Sequence, residues 1–278
     1  MAPARHLEAH GWELTIVPVD ETGRVATEAI ADAVRPETAL VSVMLANNEV
    51  GTLQPIAEIA KRLRGSGALL HTDAAQAVGK ISVDVDALGV DLLTVAGHKF
   101  QASKGIGALY VRKGTPINQI LFGAGHESGL RPGTENVPAI IGLGVAAELA
   151  AKRLAQGDNT LRDRRDQLHG LLSAAVPGLQ LNGHPEQRLS NTLNVSFPRI
   201  SGQALLATAS DAVMASVGSA CHAGESGPSG VLGAMGLNPE RALGAVRLSV
   251  GWETHSSDIE RAAYALVNAW QCLDRSNS

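Results

Sequence analysis

Cysteine is nearly absent: Cys221 and Cys272 are the two in 278 residues. That is too few to staple a secreted fold, so a cysteine that matters here matters as a thiol. Aromatic residues are scarce as well, at three Trp, two Tyr and three Phe, which argues against stacking platforms for single-stranded nucleic acid. Charged residues make up 18% and the net charge is -4, so no basic surface for coating nucleic acid is expected. No apolar run approaches the ~18 residues that span a bilayer. Met1 leads into Ala2, Pro3, Arg5 and His6 rather than into a basic-then-apolar leader, and the expected location is the cytoplasm.

What is abundant is apolar or small. Hydrophobic residues reach 45% and there are 30 Gly, ample for a large core, and about 150 residues per domain suggests two units. From residue 13 to about 149, short apolar runs alternate with amphipathic stretches, the pattern of a parallel sheet covered by helices. Strands are expected over 14–19, 40–45, 68–71, 92–96 and 106–111, with helices over 28–34 and 56–63. Pro55 opens the second of these at a position that suits a first helical turn. Longer helices are expected over 137–154 and 161–175, separated by the polar stretch 156–160. Beyond it the order becomes strand 192–197, helix 202–209, strand 213–217, a small-residue loop 218–230, strand 245–250 and a C-terminal helix from 257. The expected organisation is α/β: a large, mostly parallel domain over 1–154 and a smaller α+β domain over 155–278.

Three successive apolar runs end in functional groups: Asn47, Asn48 and Glu49 after the second strand, His71, Thr72 and Asp73 after the third, Gly97, His98 and Lys99 after the fourth. In an open parallel sheet ligands sit outside the carboxyl ends of the strands, so these groups would converge, with Gln76, on one crevice. Taken singly, Asp73 also suits a cap for the turn that follows, Asn48 a turn residue and Lys99 an ordinary surface lysine. Together, a carboxylate, an amide and an imidazole beside a lysine are what pyridoxal phosphate needs. Its aldehyde condenses with a lysine, and its ring nitrogen is kept protonated by a carboxylate.

The runs HTDAAQAVGK (71–80), AGHKF (96–100), KGIGALYVR (104–112), GAGHESGLRPGTEN (123–136), SNTLNVSFP (190–198), SVGSACHAG (216–224) and RLSVG (247–251) together resemble the class V branch of the fold type I pyridoxal-phosphate enzymes. More narrowly they resemble cysteine desulfurases of the iron–sulfur-assembly type and the related selenocysteine lyases. The resemblance implies that Lys99 holds the cofactor and moves the substrate Cα proton. Asp73 would pair with the ring nitrogen, Gln76 would bond the phenolic oxygen, and Asn48 would contact ring or substrate. His98 would hold the phosphate together with Thr134 from the second subunit of a homodimer. Arg247 would bind the substrate carboxylate, a task suited to a planar two-donor fork. The thiolate of Cys221 would take sulfur from L-cysteine, leaving L-alanine and a persulfide for an acceptor protein. With selenocysteine in place of cysteine the same residues imply a selenocysteine lyase. Cys272, beside Trp270 and Leu273 in the last helix, reads as a packing residue, and His126 as ordering the loop that carries Thr134. His71, His126 and His222 sit at no zinc-like spacing, so no metal is expected.

The chain departs from the pattern at its start. Aligned on the family, Met1 falls roughly a hundred residues into the usual chain, so a Gly/Thr-rich phosphate loop and a ring-stacking histidine have no counterpart. The large domain would then expose apolar surface, and a fragment or subunit needing a separate N-terminal piece stands as a further reading. Ala96 takes the place of a phosphate-binding serine, Phe100-Gln101-Ala102-Ser103 follows Lys99 where an aromatic and Gly-Pro are usual, and Trp252 replaces an arginine.

Overall fold

The computed structural model describes residues 1–218 and 229–276. After a short helix α1 (Ala2–Glu8), the first unit is a four-stranded sheet of β1 (Leu40–Met44), β2 (Leu69–Asp73), β3 (Leu92–Ala96) and β4 (Gly107–Val111). β1, β2 and β3 run parallel in that order, and β4 closes antiparallel on β3. Helices α2 (Thr27–Ala33), α3 (Ile56–Arg62) and α4 (Val85–Leu88) accompany this sheet. Strand side chains alternate between faces: Val41, Val43 and Leu70 pack with Ile30, Ile56, Ile59 and Val90 into one core. The opposite face leaves Leu40, Met44 and Leu109 at 41% exposure or more. Helix α5 (Val137–Ala155) also exposes Ile141, Val145 and Leu149, so the expected apolar surface is present.

The second unit is an antiparallel sheet of β5 (Gln180–Asn182), β6 (Thr192–Ser196) and β7 (Ala245–Ser249). Against it lie α6 (Thr160–Ala175), α7 (Gly202–Thr208) and α10 (Ser256–Ser276), while α8 (Gly230–Ala234) and α9 (Pro239–Leu243) lead into β7. Every residue of β6 is buried. Leu193, Val195, Leu168, Leu172, Leu266 and Trp270 form its core.

Two expected strands are absent as strands. Over 14–19 only Val19 pairs, in a single bridge with Val25, because Asp20 Oδ1 accepts the Thr22 and Arg24 N–H groups and folds the chain straight back. Over 213–217 only Ser216 pairs, with Arg247. β5 lies outside every strand expected from the sequence. Cys272 is exposed rather than packed: the buried stripe of α10 is Ile259, Ala263, Leu266, Ala269 and Trp270, and position 272 falls off that helical spacing.

Candidate active site

Because β1, β2 and β3 are parallel, their carboxyl ends share one edge of the sheet. Met44 pairs with Asp73 and Asp73 with Thr94. Asp73 is exposed, and its Oδ1 accepts the Ala75 N–H at 2.8 Å, which caps the turn carrying Gln76 and Lys80. The cap uses one carboxylate oxygen. Behind Asp73, the half-buried His71 bridges the strands: its Nδ1 lies 2.8 Å from Ser42 Oγ and its Nε2 2.9 Å from Thr94 Oγ1. Burial pushes its imidazole below the usual range, and the Asp73 charge opposes that.

After β3 the chain enters a 3-10 turn, Gly97–Phe100. The turn is seated on the start of β4: Gly97 N–H donates to Ile106 O at 3.0 Å, and a Cβ on Gly97 would lie 2.9 Å from that oxygen. Phe100 is buried, so His98 and Lys99 are turned out at the sheet edge, both exposed. Lys99 makes no hydrogen bond or ion pair among the described residues, leaving its amine available. Lys80 sits close by. Burial and the neighbouring Lys99 charge hold its amine at a pKa of about 8.

The second unit meets this edge at β1. Arg247 on β7 sends Nη1 to the carbonyl oxygen of Asn48 at 3.0 Å, and its backbone N–H donates to Ser216 O at 2.7 Å. Asn47 is buried and accepts the Glu49 and Val50 N–H groups, fixing the turn. Glu49, also buried, accepts the Ser229 hydroxyl, and its carbonyl accepts Asn194 Nδ2 at 3.2 Å. A Cβ on Gly218 would lie 3.8 Å from Glu49 Oε2. Gly218 and Ser229 therefore meet at Glu49, one residue from Asn48. Cys221, assigned a role above, falls in the stretch 219–228 of the sequence, outside the described residues.

The structure thus brings Asp73, Gln76, His98 and Lys99 to one edge, and Asn48 and Arg247 into contact beside it. Thr134 is not joined to them; it is exposed in the loop before α5 and makes no side-chain hydrogen bond among the described residues. His126 Nδ1 is buried without a partner among the described residues. Two residues gained no role from the sequence. Lys80 stands four positions after Gln76, a spacing that joins side chains in a helical turn, and Glu49, grouped with Asn47 and Asn48 at the end of an apolar run, was given no task of its own.

Residues 1–262 match the family described as Aminotransferase class-V. The chain belongs to the class-V aminotransferase family. It is 46% identical over 257 residues to the cysteine desulfurase IscS of Methanosarcina thermophila, covering 92% of this chain and 63% of that protein. The chain thus spans somewhat under two thirds of that relative's length. Among solved structures it is similar to a NifS-like protein, with TM-score 0.86 and 35% identity over 98% of this chain and 71% of the other. It is also similar to SspA in complex with cysteine, with TM-score 0.75 and 33% identity over 90% and 69% of the two chains.

Enzymes of the class-V family depend on pyridoxal phosphate, and the chemistry of the donors fits that group. Lys99 offers an unpaired amine, Asp73 a carboxylate oxygen not used by its cap, Gln76 an amide and His98 an exposed imidazole. Ala96 contributes no hydroxyl toward a phosphate.

Proposed function

We propose that the chain acts as a pyridoxal-phosphate-dependent cysteine desulfurase, converting L-cysteine to L-alanine and holding the sulfur as a persulfide on Cys221. The observation that carries this reading is the convergence of Asp73, Gln76 and Lys99 at the carboxyl ends of adjacent parallel strands. Similarity to cysteine desulfurases, and to a protein solved in complex with cysteine, supports the choice of substrate. When bound, the cofactor supplies an electron sink for charge developing at the substrate Cα.

The residues divide the work. Lys99 Nζ anchors the cofactor covalently and later takes the Cα proton. The Asp73 carboxylate keeps the ring nitrogen protonated, the Gln76 amide donates to the phenolic oxygen, and Asn48 contacts ring or substrate. His98 holds the phosphate, joined by Thr134 of a second subunit in a homodimer. Arg247 clamps the substrate carboxylate with two parallel N–H groups; its contact with the Asn48 carbonyl steadies it at the crevice. The Cys221 thiolate attacks the substrate sulfur. A sulfur–sulfur bond forms as the carbon–sulfur bond breaks, the electron pair stays on carbon, and protonation there yields alanine. The persulfide then passes to an acceptor protein for iron–sulfur or thio-cofactor assembly. A cytoplasmic setting fits this chemistry, and among the described residues no helix is long and apolar enough to cross a membrane.

The test is turnover of L-cysteine by the purified chain supplied with pyridoxal phosphate and a thiol reductant. Alanine and sulfide are expected in equal amounts, and Cys221→Ala should abolish sulfide release. Unchanged release in that variant overturns the persulfide step. Turnover of selenocysteine with negligible turnover of cysteine replaces the assignment with selenocysteine lyase.

A further inference from the structure

Gln76 can assist the ring only if its NH2 end faces the phenolic oxygen, and nothing in an amide's shape enforces that, because its two ends are nearly alike. Something must decide the orientation. In this chain the neighbour is Lys80. Its Nζ lies 2.9 Å from the backbone oxygen of Gln76 and 3.3 Å from Gln76 Oε1. An ammonium has three donors and no acceptor, so the amide end turned toward it must be the carbonyl. Both Nε2–H donors are then left without a partner among the described residues.

The turn holding this pair is itself fixed. Gly79, at φ +79°, packs so closely on Phe100 that an added Cβ would lie 2.7 Å from the Phe100 Cβ. The carbonyl of Lys80 accepts the Ser190 hydroxyl at 3.4 Å. The Gln76–Lys80 pair is therefore held against the turn that carries Lys99.

We infer that Lys80 is a positioning residue, which orients the Gln76 amide so that its NH2 group is the end presented to the cofactor's phenolic oxygen. The role rests on the cofactor reading above and adds a residue to it. Protonation is what gives the orientation its sign. Above the Lys80 pKa of about 8 the neutral amine can accept as well as donate, and the preference for the carbonyl end falls away.

Two measurements on the full 278-residue chain test this separately. The first uses no cofactor: the Gln76 side-chain amide resonances, assigned by their loss in Gln76→Ala, are followed by NMR through a pH titration. They should move with a midpoint near pH 8 in the parent chain and stay still in Lys80→Met. No movement in the parent chain, or the same movement in Lys80→Met, overturns the inference. Replacing a partly buried ammonium with an isosteric apolar chain is not expected to unfold the protein, and Lys80→Arg, which keeps donors without an acceptor, should restore part of the effect.

The second adds pyridoxal phosphate and follows the pH midpoint of the visible absorbance band. Losing a donor to the phenolic oxygen should raise that midpoint by about one pH unit. Gln76→Ala and Lys80→Met should raise it alike, and the double variant no further; additive shifts overturn action through Gln76. If no band forms, the cofactor reading fails, and the amide titration alone decides whether Lys80 orients Gln76.

Discussion

Gly79 and Phe100 approach so closely that a single added carbon on Gly79 would lie 2.7 Å from the Phe100 Cβ. The turn with Gln76 and Lys80 is thereby seated on the turn with His98 and Lys99. Gly79→Ala meets both this contact and a left-handed backbone at φ +79°. It should cost about 2–4 kcal/mol, from the left-handed conformation and from overpacking. Chemical denaturation midpoints measure the loss, and a change below about 1 kcal/mol would show that the two turns are not locked together.

Lys80 gives the fold a defined pH response. Its folded pKa of about 8 lies below the ordinary value of 10.5, chiefly through burial and then through Lys99. Between these two values the unfolded chain binds more protons than the folded one, so this contribution to stability rises with pH across that window and is flat below it. The rise attributable to Lys80 is at most about 3 kcal/mol. It should appear as the difference between the parent chain and Lys80→Met in denaturation from pH 7 to 10; parallel curves would refute it.

Ser229 does two jobs at once. Its hydroxyl donates to the buried Glu49 carboxylate while its oxygen caps α8, accepting the Val231 N–H at 3.1 Å. Ser229→Ala removes a cap and a partner of a buried carboxylate, together about 2–3 kcal/mol. Ser229→Thr keeps both bonds and should recover most of that loss, which separates the hydroxyl from simple packing.

Asp166 serves two buried guanidinium groups. Arg165 and Arg188 have side chains only 7% and 6% exposed, and both reach Asp166 Oδ1. Arg188 reaches it through Nη2, while its Nε and Nη1 are buried with no hydrogen-bond partner among the described residues. Asp166→Asn should therefore destabilise by about 2–4 kcal/mol. Combining it with Arg188→Met should cost less than the two single changes summed, since the charge left stranded is gone; strict additivity would contradict the shared-carboxylate description.

The strands that sequence periodicity located, over 40–45, 92–96, 106–111, 192–197 and 245–250, are apolar runs that find neighbours on both sides or at a sheet edge. Residues 14–19 have the same local character, yet a strand exists only by pairing, and the Asp20 turn leaves Val19 alone to pair. β5 went unnoticed because three residues, Gln180, Leu181 and Asn182, carry no period. Within the site, Asp73 and Lys99 were legible from their place at strand ends. Arg247 was not, because its approach to Asn48 crosses between units separated by some two hundred residues, and only resemblance to a family singled it out. Lys80 and Glu49 received no role of their own, since burial of a charged side chain is decided by tertiary packing that no local pattern records.

The central claim, that Lys99 is the amine that takes up pyridoxal phosphate, has a direct measurement. The purified chain is titrated with pyridoxal phosphate while its visible absorbance is recorded, then reduced with borohydride, digested and mapped for the modified lysine. A saturable band with the label on Lys99, lost in Lys99→Ala, is the expected result. A label spread over surface lysines, or no band at saturating cofactor, would contradict it.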